Sequence, residues 1–214
     1  MTGKPSSMTL YSDDRDHLSH RVRIVLAEKD VAVDLQSVSA ATLSPAVREL
    51  SPYGSLPVLQ DRDGLALFES RVMMEYLDER FPHPPLLPVY PVTRAQCRQW
   101  IDRLDREWSP LVATLTHSES DPEKAAARQQ LQESLSAVAP AFAGTSFFLS
   151  EQFSLMDCCL AAMLWRLEVM GIVLAPTAQH RPLLDYMQRV FSREAFRSSL
   201  SESERLMCKT ALFG

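Results

Sequence analysis

Ser51-Pro52-Tyr53-Gly54-Ser55-Leu56-Pro57-Val58-Leu59 is the stretch on which the reading of this chain turns. It runs into Asp61-Arg62-Asp63-Gly64, a hairpin turn in which Gly64 supplies a positive φ at little cost. Leu65 to Phe68 is the returning strand. Ser70 then caps a helix with Val72, Met73, Tyr76 and Leu77 on its apolar face. Upstream, Leu43 to Leu50 is a short helix with Ser44 as N-cap and Pro45 at its first position. Val33, Leu35 and Val38 suggest a strand before it. Ser19 to Lys29 places Val22, Val25, Leu26 and Lys29 at helical spacing and runs out near Asp30, and Met8 to Ser12 is a first strand. The order is β-α-β-α-β-β-α.

Downstream, Phe81-Pro82-His83-Pro84-Pro85-Leu86-Leu87-Pro88-Val89-Tyr90-Pro91 holds five prolines and cannot continue a helix, so it reads as a stiff linker. Everything after it has helical periodicity. Thr93-x-x-Gln96 reads as a capping box opening one long helix that carries Trp100, Leu104, Trp108, Leu111 and Leu115. Asp121-Pro122 opens another, with Leu131, Leu135 and Val138 facing in. A third begins at Ser154-Leu155-Met156-Asp157 and is apolar nearly all round, as a central helix is. Leu183 to Phe191 and Ser201 to Cys208 supply the last helices. The expected division is a flexible tail at 1–7, an α/β domain at 8–82, a linker at 83–92 and an all-α domain at 93–214.

The 214 residues are 46% hydrophobic and 23% charged, ordinary for a globular chain able to bury its own core. With 22 basic and 27 acidic residues the formal net charge is -5, which argues against direct nucleic-acid binding. Cys97, Cys158, Cys159 and Cys208 form no C-x-x-C pair, so neither zinc nor thioredoxin-like redox chemistry is indicated, and no metal site or cofactor is expected. Cys158 and Cys159 read as small core residues. Met1 to Ser7 is polar, with no apolar signal region, and no stretch is apolar enough to span a bilayer, so the expected location is the cytoplasm, away from membranes.

The α/β domain, the proline-rich linker and the helical domain together resemble the cytosolic glutathione-transferase fold, a thioredoxin-like N-terminal domain followed by an all-α C-terminal domain. Three features carry the resemblance. Ser51-Pro52-x-Gly54-x-Leu56-Pro57-Val58-Leu59 is similar to the family's segment leading to a cis-proline, which implies that Pro57 is that proline and that the Leu56 backbone faces an extended peptide such as glutathione. Glu69-Ser70 matches the pair that holds the γ-glutamyl end of glutathione, at a helix N-terminus that attracts carboxylates. Ser154-x-x-Asp157 is similar to the family's buried structural capping box.

Conjugation requires a lowered thiol pKa, which such enzymes achieve with a Ser, Tyr or Cys side chain near the start of the first helix. Aligned by Ser19-His20-Arg21-Val22-Arg23, this chain puts Asp16 near that position, with Asp13 and Asp14 beside it. An ionised carboxylate repels a developing thiolate. Tyr11 ends the first strand, roughly where Tyr-type transferases keep their phenol, and leaves an enzymatic reading open. His17 and His20 have no nucleophile paired to them and read as loop and surface histidines.

Within this fold the sequence looks most like the stringent starvation protein A family. The matching stretches are Ser19-His20-x-Val22-Arg23-Ile24-Val25-Leu26-Ala27-Glu28-Lys29, Glu69-Ser70-Arg71, Met74 to Leu86, Val89-Tyr90-Pro91-Val92 and Phe153-Ser154-Leu155-x-Asp157-Cys158. The resemblance implies a homodimer that binds RNA polymerase holoenzyme with its primary sigma factor and regulates transcription in starvation or stationary phase, with no catalytic residue and no transferase activity. It places the partner-binding surface on Pro82, His83 and Pro84, with Tyr90 and, more loosely, Arg71 and Arg80 extending it. Tyr11, Leu56, Pro57, Glu69 and Ser70 then line a vestigial glutathione-like pocket. The alternative is a glutathione transferase or glutathione-dependent reductase.

Overall fold

A computed structural model describes residues 7–39 and 42–207. Their contacts divide into two compact units: the first runs to Pro85 and also takes in Glu194–Leu206, and the second is Leu86–Arg193.

In the first unit a four-stranded sheet has the order β2-β1-β3-β4, from β1 (Thr9–Ser12), β2 (Asp34–Ser37), β3 (Val58–Gln60) and β4 (Ala66–Leu67). β1 lies parallel to β2 and antiparallel to β3, with Tyr11 opposite Gln36 on one side and Val58 on the other. The β3–β4 turn closes through Gly64 N–H to Asp61 O at 2.9 Å, with Gly64 at φ +85°. β2 is an edge strand exposed along its whole length, Leu35 included. Its helices are α1 (His17–Glu28), α2 (Pro45–Glu49) and α3 (Ser70–Arg80). Ser44 caps α2 as its sequence implies.

α3 departs from expectation in two ways. Its N-cap position is Glu69, in the left-handed region at φ +67°, so Ser70 is the first helical residue and not the cap. Its buried face is Met73, Met74 and Leu77, while Val72 is exposed. The remaining helices of this unit come from the far end of the sequence: α9 (Glu194–Ser199) and α10 (Glu202–Arg205). α1 packs against both α3 and α9, which buries it on more than one side. Cys208 lies outside the described residues.

The second unit holds α4 (Pro91–Glu107), α5 (Ser109–His117), α6 (Asp121–Val138), a 3-10 turn at Ala139–Phe142, α7 (Leu155–Leu164) and α8 (Arg181–Ser192). The single long helix expected from Thr93 is two helices. Pro110, inside the first turn of α5, has no N–H to offer the preceding turn, and the chain bends at Trp108. The Trp108 indole N–H donates to Ser134 Oγ at 2.8 Å. α4 starts at Pro91 rather than at Thr93, and no Thr93–Gln96 box forms: the Thr93 hydroxyl donates to Tyr90 O at 2.9 Å.

Every residue of α7 is buried. The Asp157 carboxylate at its start accepts from Ser154 N at 2.8 Å, Ser154 Oγ at 2.8 Å, Phe148 N at 3.0 Å and Tyr186 Oη at 2.8 Å. Burial pushes its pKa above the usual carboxylate range against the pull of those donors, and burial beside this carboxyl pushes the Tyr186 phenol well up. Replacing Asp157 by Ala strands several buried donors, and a loss of about 3 kcal/mol in stability is expected. Urea unfolding followed by tryptophan fluorescence measures it, since Trp100, Trp108 and Trp165 all lie in this unit, and Asp157→Asn should lose less.

Candidate functional site

The N-terminus of α1 is where a thiol-activating group would have to act. Asp16 occupies its N-cap position with extended backbone, and its Oδ2 accepts the Ser19 N–H at 2.8 Å. A carboxylate is a favourable cap because it answers the unpaired N–H groups and positive end of the helix. For the same reason it fills the site where those groups would stabilise a thiolate. It also explains why the helix begins before Ser19. The adjoining carboxylates have structural work too: Asp13 Oδ1 accepts from Arg15 N at 2.8 Å and Asp14 Oδ2 from Ser37 Oγ at 2.6 Å.

The two histidines are not the loop and surface groups that the sequence suggests, for both are buried. His17 Nδ1 lies 3.5 Å from Asp16. His20 is wholly enclosed, its Nε2 3.1 Å from Ser199 Oγ, its Nδ1 3.5 Å from Glu204 Oε1 and its ring tilted against Phe196. α9 and α10 cover this face of α1, and the sequence near His20 carries no sign of them. Nor are the three cysteines among the described residues candidates for thiol chemistry. Cys97, Cys158 and Cys159 are buried, and burial pushes the Cys97 thiol up to about 11. Among the described residues no cluster suited to a metal ion is formed.

The residues matched to a glutathione pocket all fall in the first unit. The Leu56–Pro57 peptide bond is cis, with Pro57 buried and Leu56 half-buried. Tyr11 is half-buried on β1 directly across from Val58, the residue after that proline. Glu69 is exposed. Ser70 is buried, and its Oγ accepts from Arg21 Nε at 2.9 Å, a guanidinium that is itself buried. A helix N-terminus with a buried cation behind it still favours a carboxylate. The start of α3 thus has the chemical type of a carboxylate site, while the start of α1 is capped by a carboxylate.

The proline-rich segment contributes a second candidate surface. Pro82, His83, Pro84 and Pro85 are all exposed at the end of α3, and the His83–Pro84 bond is cis. Beneath them Lys29, at the C-cap of α1 and 6% exposed, donates to Asp78 Oδ1 at 2.5 Å and to Pro84 O. Arg80 is exposed and Arg71 half-buried. Tyr90 belongs to the second unit, 67% exposed between exposed Val89 and Val92. Its segment is held by Arg94, whose Nε donates to Pro88 O at 2.8 Å and Nη2 to Val89 O at 2.9 Å. Neither Lys29 nor Arg94 stands out in the sequence as part of a surface, because each acts on a backbone carbonyl and not through a motif.

Comparison with known proteins agrees with this geometry. Residues 17–80 match the family described as "Glutathione S-transferase, N-terminal domain" and residues 98–189 the family described as "Glutathione S-transferase, C-terminal domain". The chain is 48% identical over 200 residues to "Stringent starvation protein A homolog" of Pasteurella multocida, covering 94% of this chain and 93% of that one. It is 48% identical over 202 residues to the protein of the same name in Coxiella burnetii, covering 94% and 95%. Among solved structures, a glutathione transferase from Methylococcus capsulatus superposes with a TM-score of 0.82 at 25% identity, over 93% of this chain and 99% of that one.

If Asp16 serves α1 as its cap, Asp16→Ala should lower stability by about 1 kcal/mol in denaturant titration, whereas Asp16→Asn, which keeps an acceptor, should change it by only a few tenths, roughly.

Proposed function

The chain belongs to the stringent starvation protein A family, and from that premise we propose that it is a non-enzymatic regulator of transcription, built on the glutathione-transferase fold. It acts in the cytoplasm as a homodimer during starvation or stationary phase. Its partner is RNA polymerase holoenzyme carrying the primary sigma factor, gripped through protein–protein contacts rather than through DNA.

The observation that carries the reading is the exposure of Pro82, His83 and Pro84 on an anchored loop. Prolines confine the loop to few shapes, so little conformational freedom is lost when a partner docks. The imidazole of His83 between them offers a planar polar contact, and Tyr90 an exposed aromatic one of the kind enriched at interfaces. A net charge of -5 suits a partner offering basic protein surface. The Asp16 cap supports the non-catalytic half of the reading, since it places a fixed negative charge where a thiolate would need stabilising.

A glutathione-dependent enzyme is the second reading, favoured by Tyr11 lying beside the residue that follows the cis Leu56–Pro57 bond. It requires retention on immobilised glutathione and turnover of an electrophile that disappears in Tyr11→Phe.

The test of the leading reading is a holoenzyme pull-down. The native chain should retain polymerase with its sigma factor, and the variant with Pro82, His83 and Pro84 all changed to Ala should lose it while keeping its circular dichroism. Retention by the triple variant removes these residues from the surface, and failure of the native chain to capture polymerase removes the function.

A further inference from the structure

Building on the Pro-His-Pro surface just proposed, we infer that Lys29 is a positioning residue for it: a buried lysine that shapes the docking face without touching the partner. Pro82, Pro84 and Pro85 have no backbone N–H, so the hydrogen bonds this loop can make through those residues run only through their carbonyls. An ammonium has three donors and no acceptor, and Lys29 directs donors to Asp78 Oδ1 at 2.5 Å and to Pro84 O.

A lysine at a helix C-terminus ordinarily points into water, where it complements the helix dipole. The Lys29 side chain is instead fully enclosed. Asp78 supplies the counter-charge that makes this enclosure tolerable. The bond to Pro84 O meets a second of the three ammonium donors. Pro84 is itself exposed, so the bond ties a surface residue to an enclosed group. What the bond achieves is to fix the last residue of Pro82-His83-Pro84 to the rigid end of α1. Since Lys29 is enclosed and His83 exposed, any effect of Lys29 on binding passes through the shape of the loop.

The test uses the whole chain in two variants. Lys29→Met alone leaves Asp78 without its ammonium. Lys29→Met with Asp78→Asn removes both charges together, which buried pairs tolerate far better. In the double variant the circular dichroism and a cooperative thermal transition should persist. The His83 imidazole resonances of the free protein should move, and affinity for polymerase holoenzyme should fall about tenfold through lost preorganisation. If the single variant fails to fold, the double variant decides. His83 resonances that coincide with those of the native protein overturn the inference, as does native affinity in the double variant. Should the native chain itself not bind polymerase, the proposed function falls, and the His83 resonances alone then settle the role of Lys29.

Discussion

Three cations point inward from α1 and its C-cap, and a cation enclosed in protein must be met by acceptors. Arg21 reaches Ser70. Arg23 donates to Ser12 Oγ, Asp13 O, Ser199 O and the Glu204 carboxylate. Lys29 reaches Asp78 and Pro84 O. Each pairing draws a different segment onto the helix: the start of α3, the loop after β1 together with the C-terminal α9 and α10, and the proline loop. Much of the first unit's shape follows from satisfying those charges. So does the arrangement of its surface, because the pairing that neutralises Lys29 also sets the end of the exposed Pro82–Pro84 stretch.

The same helix carries the feature on which the proposed non-enzymatic reading rests. A sulfur-activating site needs the helix N-terminus free to stabilise an incoming anion, and here the Asp16 carboxylate sits at that end and accepts the Ser19 N–H from within the chain. The opposite wall of the old pocket is less changed: the start of α3, with Ser70 and the guanidinium of Arg21 behind it, still has the polarity of a carboxylate site. One fold hosts unrelated functions through local differences in its sites, and the proposed reading places such a difference at one helix end.

How much could be read from the sequence follows the range of the interactions concerned. Ser44-Pro45, Gly64 and Ser154-x-x-Asp157 act within a few residues, and the structure has the expected cap, turn and capping box. The non-helical course of the chain between α3 and Pro91 was legible for the same reason, since proline restricts its own backbone wherever it stands. His20 misled because the residues enclosing it lie far along the chain: Ser199 is 179 positions away. α3 misled because a helical repeat gives a face only to within a residue or so, and Met74 takes the inward place expected of Val72. The Thr93–Gln96 pattern lost to Pro91, which starts the helix earlier, and to Arg94, which secures the turn before it. Lys29 and Arg94 stayed hidden because holding a carbonyl leaves no pattern in the residues held.

The return of α9 and α10 to the first unit bears on the order in which the protein matures during translation. Glu204 supplies the carboxylate for a guanidinium on α1, yet the ribosome makes it 181 residues after Arg23. While the chain is still being made, α1 carries a charge whose partner does not exist. The N-terminal unit therefore cannot settle fully ahead of the helical one, as a self-contained leading domain would. A nascent chain released before Glu204 leaves that guanidinium without its carboxylate, so a truncation ahead of residue 204 is felt at α1.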